Sequence, residues 1–265
     1  MSQWQAEGAD GASRPPVLIS LTAYGADLAL RDGQAALARI AAAAGADGVE
    51  FRGELQRGHK EEVIEQREVA GEHRLDVVWS SPEGLWNDAG SLDAAALDRA
   101  FTTALALGAS RVKMSLGGYR AGTALEALLP WLRHEGIELV VENDQTARAG
   151  TVPPLRDFFA RIAALGETVP MTFDMGNWHW TGEDPLDAAQ VFGANVGYVH
   201  CKGVQRTPAK WIAVPLDQSA APWRGVLRRL PTQVARAIEF PLQGEDLVQV
   251  TRHHVELLRS VEVPA

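Results

Sequence analysis

"IELVVENDQTARAGTVPPLRDFFARIAALGETVPMTFD", residues 137–174, reads as one strand–helix–strand unit, and that reading decides the fold class. Its ends, "IELVVE" (137–142) and "VPMTFD" (169–174), are short apolar runs of the kind found in strands covered on both faces. Between them "PPLRDFFARIAALG" (153–166) has helical spacing, opens on proline and closes on glycine, the end chemistry of a capped helix. Both strands finish on an acid, Glu142 and Asp174. The second runs directly into "MGNWHW", a loop carrying Asn177, Trp178 and His179.

The same alternation extends in both directions. "VLISL", "DGVEF", "LDVVW" and "SRVKMS" precede this unit as candidate strands, and "NVGYVH" and "VARAIEF" follow it. The intervening stretches "DGQAALARIAAAAGA", "HKEEVIEQREVAGEH", "LDAAALDRAFTTALALGA", "TALEALLPWLRHEG", "DPLDAAQVFGA" and "EDLVQVTRHHVELLRS" have helical periodicity. Strand then helix, repeated about eight times in ~250 residues, predicts a single (β/α)8 TIM barrel, with a doubly wound open sheet as the runner-up. Pro130 should kink or break the fourth of these helices. The stretch from Gly203 to Trp223 is too long for an ordinary connection and reads as a lid. Residues 1–14 lack periodicity and read as a mobile leader ahead of one domain over 15–265.

With 46% of its 265 residues apolar, the chain has material for one sizeable core. Its net charge of −9 is dispersed, which argues against a nucleic-acid surface. No apolar run reaches the ~20 residues of a membrane span. One cysteine, Cys201, and no signal-like start make the cytoplasm the expected compartment. A homo-oligomer is compatible with all of this.

In a barrel, reactive groups gather at the C-terminal strand ends. Glu142, Asp174, His200 and Glu239 fall at or next to four successive ends. Singly, each has a bland reading as a helix cap, a solvated acid or a hydrogen-bonded imidazole. Together, three carboxylates crowded around an imidazole repel one another unless a cation lies between them, so the set predicts one bound divalent metal. Three oxygen donors and one nitrogen suit manganese or magnesium, with cobalt or zinc as alternatives.

Lys202 shares the parity of His200, and Lys113 lies between Val112 and Met114, so both lysines should face the barrel interior. Cys201 should face the helices and behave as a small apolar residue. Glu50 and Arg52 either line the same cavity or form a solvated pair. His73, His134, His253 and His254 read as helical surface. Trp79, Trp86, Trp178, Trp180, Trp211 and Trp223 fall at or after strand ends, where they either stack on a sugar face or pack loops together.

From "LISLTAYG" and "GADGVEFRGE" through "IELVVENDQT", "TFDMGN", "YVHCKGV" and "IEFPLQG", the chain resembles the xylose isomerase-like barrel superfamily, particularly its sugar isomerase and epimerase branch. The resemblance implies that Glu142, Asp174, His200 and Glu239 hold manganese, magnesium or cobalt. It also implies that Glu142 and Glu239 flank the reacting carbon, and that Arg206 and Lys202 contact substrate. Asn177 stands where the epimerases commonly carry a substrate-binding histidine. The activity implied is metal-dependent isomerisation or epimerisation of a small sugar or polyhydroxy carbonyl compound through an enediolate. Lys113, Lys202 and Arg206 would also suit a polyhydroxy acid, keeping a dehydratase of the inosose or 3-dehydroshikimate type as the alternative. A non-catalytic sugar-binding barrel and an AP-endonuclease-like repair protein rank behind these, since the second and third strand ends offer no histidine for a multinuclear zinc site.

Overall fold

The computed structural model describes residues 14–59 and 61–261. The leader expected over 1–14 therefore lies, apart from Arg14, outside the described residues. Eight parallel strands close into a barrel: β1 (Val17–Ser20), β2 (Gly48–Arg52), β3 (Asp76–Trp86), β4 (Arg111–Gly117), β5 (Glu138–Glu142), β6 (Met171–Asp174), β7 (Val196–Cys201) and β10 (Ala235–Ile238). Around the ring each strand pairs with its predecessor, and β10 closes the circuit between β7 and β1. This is the (β/α)8 architecture expected from the strand–helix alternation.

The outer layer comprises α1 (Ala26–Asp32), α2 (Gln34–Ala43), α3 (Glu62–His73), α4 (Ala94–Leu107), α5 (Leu129–Leu132), α6 (Val152–Ala164), α7 (Asn177–Thr181), α8 (Pro185–Phe192), α9 (Trp223–Leu227) and α10 (Leu247–Arg259). Local chemistry sets several of their ends. Asp93, Asp184 and Asp246 cap α4, α8 and α10 by accepting from the backbone N–H groups of Ala96, Leu186 and Gln249. The helix expected around Pro130 shrinks to a 3-10 turn, Glu126–Leu128, followed by α5, a single turn with the proline near its start. A proline ring is tolerated in a first turn and clashes further in.

The stretch from Gly203 to Trp223 is more ordered than a loop. It contains an antiparallel pair, β8 (Gly203–Arg206) with β9 (Trp211–Val214), whose turn is closed by Thr207 and Lys210. Trp211 lies 4.9 Å from the His179 ring of α7, which ties this hairpin to the loop after β6.

Strand parity divides the core in two. Val17, Val49, Phe51, Val112, Phe173 and Cys201 belong to the large apolar cluster shared with the helices, whereas Leu18, Val78, Tyr198, Ala235 and Ala237 form a small cluster inside the barrel. Above that small plug, the interior positions are polar: Ser20, Glu50, Lys113, Glu142, Asp174 and His200. Such groups are costly to bury singly and persist only as a mutually paired set. His254 departs from the surface reading, being buried edge-on against Phe240.

Candidate metal centre

The ladder itself brings the four ligand-type residues to one level. Asp174 pairs in register with His200, His200 with Ala237, and Glu142 with Thr172, two residues before Asp174. Glu239, one residue past β10, is held there by its N–H donating to the carbonyl of Cys201. One donor atom from each of Glu142, Asp174, His200 and Glu239 lies within 4.8 Å of all the others, and among the described residues no other such cluster of His, Cys, Asp and Glu occurs.

The donor atoms are individually aimed. His200 Nδ1 lies 2.9 Å from Glu142 Oε1, 2.9 Å from Glu239 Oε2 and 3.9 Å from Asp174 Oδ2. Its other nitrogen, Nε2, meets Glu50 Oε2 at 2.7 Å, which fixes the ring and leaves Nδ1 for the cluster. Asp174 Oδ1 accepts from the N–H groups of Gly176 and Asn177, so Oδ2 turns inward. The outer oxygens of both glutamates rest on cations: Glu142 Oε2 on Lys113 Nζ at 2.6 Å, Glu239 Oε1 on Arg52 Nη1 at 2.9 Å.

Electrostatically, the cluster draws positive charge to its centre. Burial pushes the His200 pKa down, but Glu50 and Glu239 outweigh it and hold the imidazole well above its usual range. Burial, with Glu239 and Glu142 adding repulsion against the pull of Lys202, raises Asp174 to about 6. Burial also works against charge on Glu142, yet Lys113 and His200 hold that carboxyl down at about 2. Three inward oxygens and one inward nitrogen, each oriented by a separate partner, fit a single divalent cation.

Several expected site residues fall elsewhere. Glu50, expected either to line the cavity or to form a solvated pair with Arg52, does pair with Arg52 but is buried, and its oxygens also serve His200 and, more loosely, Ser20. It is a support behind the histidine. Trp178 is fully buried, stacked on Phe192 at 5.9 Å and against Phe173, because the helical turn of α7 points it at the outer layer. Arg206 is exposed on β8, with its guanidinium over the Trp211 ring at 5.5 Å. Trp79, Trp86 and Trp223 are also buried; Trp180 and Trp211 alone among the six are partly exposed.

Lys113, Lys202, Arg52 and Asn177 do meet the cluster. Lys202 Nζ contacts Asp174 Oδ2 and Glu239 Oε2, and Asn177 Oδ1 accepts from Lys202 and Gln145. Asn143, missed in the sequence because it follows Glu142 on the opposite parity, is a latch. It donates to the carbonyl of Asp174 at 3.0 Å, accepts from the N–H of Asp174 at 2.8 Å and offers its own carbonyl to Asn177. Asn143→Ala should cost about 3 kcal/mol, since it strands buried backbone groups at the end of β6. Denaturant unfolding checks this, and a loss below about 1 kcal/mol would contradict the latch.

A family model described as a xylose isomerase-like TIM barrel matches residues 38–260. No curated protein matches the chain. Among solved structures, a D-allulose 3-epimerase from Methylomonas sp. in complex with D-allulose shares the fold at a TM-score of 0.68 and 14% identity, over 94% of this chain and 98% of that one. The IOLI protein with a binding zinc atom does so at a TM-score of 0.66 and 13% identity, over 92% and 98%. A xylose isomerase-like TIM barrel/4-hydroxyphenylpyruvate dioxygenase fusion protein gives a TM-score of 0.70 at 14% identity, and the match covers 92% of this chain but only 42% of that longer chain.

Proposed function

The chain belongs to the xylose isomerase-like TIM barrel family, and from that membership and its cluster of Glu142, Asp174, His200 and Glu239 we propose a divalent-metal-dependent isomerase or epimerase acting on a small sugar or polyhydroxy carbonyl compound. The observation that carries this reading is a difference in exposure within the cluster. The side chains of Glu142 and Glu239 are 14% and 10% exposed, whereas Asp174 and His200 have no exposed surface. Two ligands are sunk as anchors, and the two glutamates face what enters from the mouth.

When bound, the cation would polarise a substrate carbonyl and ease loss of the proton on the adjacent carbon. The residues do the rest. One glutamate oxygen takes that proton as the C–H electron pair moves into the carbon–carbon bond and the carbonyl oxygen gains the charge of an enediolate. In an isomerase that glutamate returns a proton to the neighbouring carbon while the hydroxyl proton passes from one oxygen to the other; in an epimerase the other glutamate, protonated beforehand, delivers its own proton to the opposite face of the same carbon. Glu142 ends β5 and Glu239 lies one residue past β10, with β6 and β7 between these strands, a separation that lets them address opposite faces. Lys113 and Arg52, on their outer oxygens, fix both carboxylates in orientation.

The oxygen-rich donor set favours manganese or magnesium. A single four-residue cluster among the described residues weighs against multinuclear DNA-repair chemistry. No helix among the described residues is long and apolar enough to cross a membrane, and with the lone buried Cys201 this accords with the cytoplasmic setting we assign. A dehydratase remains the rival, because Lys202 beside Glu239 offers a positive charge to a departing hydroxide. Incubating metal-loaded protein with ketoses, inososes and dehydroshikimate separates the readings. Isomers or epimers of unchanged mass are expected; a product lighter by one water would move the assignment to the lyase, and no turnover of any member would leave a binding protein.

A further inference from the structure

Three cations touch the cluster, and they do so differently. Lys113 and Arg52 hold the outer oxygens of Glu142 and Glu239, turned away from the centre. Lys202 holds inward ones. Its ammonium lies 2.8 Å from Asp174 Oδ2 and 2.8 Å from Glu239 Oε2, the oxygens that also surround His200 Nδ1, with Asn177 Oδ1 as a third acceptor at 3.2 Å. Neither acid has a spare oxygen to offer instead, since Asp174 Oδ1 is taken by two backbone N–H groups and Glu239 Oε1 by Arg52.

The seat is built for this side chain. A β-carbon at Gly176 would come within 2.7 Å of Lys202 Cδ and 2.8 Å of its Cγ. Gly176 has φ −80°, which any residue adopts, so glycine is needed there for the room it leaves to the lysine stem.

We propose that Lys202 competes with the metal ion for Asp174 and Glu239. It is a resident ammonium that keeps the ligands assembled, gives up those two oxygens as the ion enters, and then presents its charge to a substrate oxygen at the mouth. This rests on reading the cluster as a metal site. A divalent ion and an ammonium drawing on the same two oxygens weaken each other, and that coupling is reciprocal. Lys202 thereby links metal loading to substrate binding: the lysine becomes available only after the ion is in place.

Calorimetric titration with manganese alone, at one fixed pH and ionic strength, tests this without turnover. Lys202→Met should bind manganese about tenfold more tightly than the unaltered protein, within the usual range of such couplings. Its metal-free form should melt at a lower temperature, because the carboxylates lose a counter-charge, and manganese should restore most of the difference. Gly176→Ala, which displaces the lysine stem and leaves all four ligands in place, should tighten binding in the same direction by less. Equal or weaker affinity in both variants, with circular dichroism showing them folded, would overturn the competition while leaving the metal site standing. Absence of manganese binding by the unaltered protein would instead remove the metal reading and this proposal together.

Discussion

Asp174→Asn is expected to lower metal content from about one ion per chain to near none, and to take turnover with it, while the barrel stays folded. The two oxygens of Asp174 have separate tasks, so this variant keeps the backbone bonds and alters only the oxygen that faces the cluster and Lys202. Oδ1 accepts from the N–H groups of Gly176 and Asn177, and an asparagine carbonyl can accept both bonds. Oδ2 faces the cluster, where an amide NH2 is neither negative nor a ligand. His200→Ala should also empty the site, but it leaves the buried Glu50 with one charged partner fewer and should cost stability as well. Elemental analysis alongside circular dichroism reads both effects. Unchanged metal content in Asp174→Asn would remove this residue from the ligand set.

Glu142→Gln and Glu239→Gln should retain much of the metal yet lose about 10² to 10⁴-fold in turnover, the usual contribution of a positioned base. Glutamine preserves the inward carbonyl oxygen as a neutral ligand and removes the proton acceptor. The two variants should differ. Glu142 has one cation on its outer oxygen, whereas Glu239 is shared between Arg52 and Lys202, so Glu239→Gln unbalances more of the site. In an epimerase, either variant should still exchange the proton of one epimer in heavy water without completing inversion, since removal and return use opposite faces. Loss of turnover in proportion to loss of metal would reduce both glutamates to ligands.

The barrel was legible because parallel strands covered on both faces leave continuous apolar runs, and all eight of those runs became strands. The metal cluster was legible because parity is a rigid property of strands: Glu142 and Asp174 end theirs on the interior side, His200 is last but one in β7, and Glu239 follows one residue after β10. What escaped depended on partners far away in sequence. Glu50 looks like any acid near a strand end until the closure of β1 and β2 against β7 and β10 places it on His200 Nε2. Trp178 lies two positions after a glycine that starts a helical turn, and a shift in backbone direction there carries the ring into the outer layer. Arg206 sits on a hairpin whose short strands have too little periodicity to stand out from a loop. Asn143 is a polar residue on the apolar parity, and its task appears only when the end of β6 is alongside.

The most direct measurement is deuterium exchange from heavy water into a panel of ketoses and polyhydroxy carbonyl compounds, followed by mass spectrometry, with chelator-stripped protein and with the same protein after manganese is restored. The metal-assisted enediolate account expects at least one compound to gain deuterium beside its carbonyl with the restored protein and none to do so with the stripped protein. Exchange that ignores the chelator, or restored protein that carries its ion and labels nothing, would contradict it.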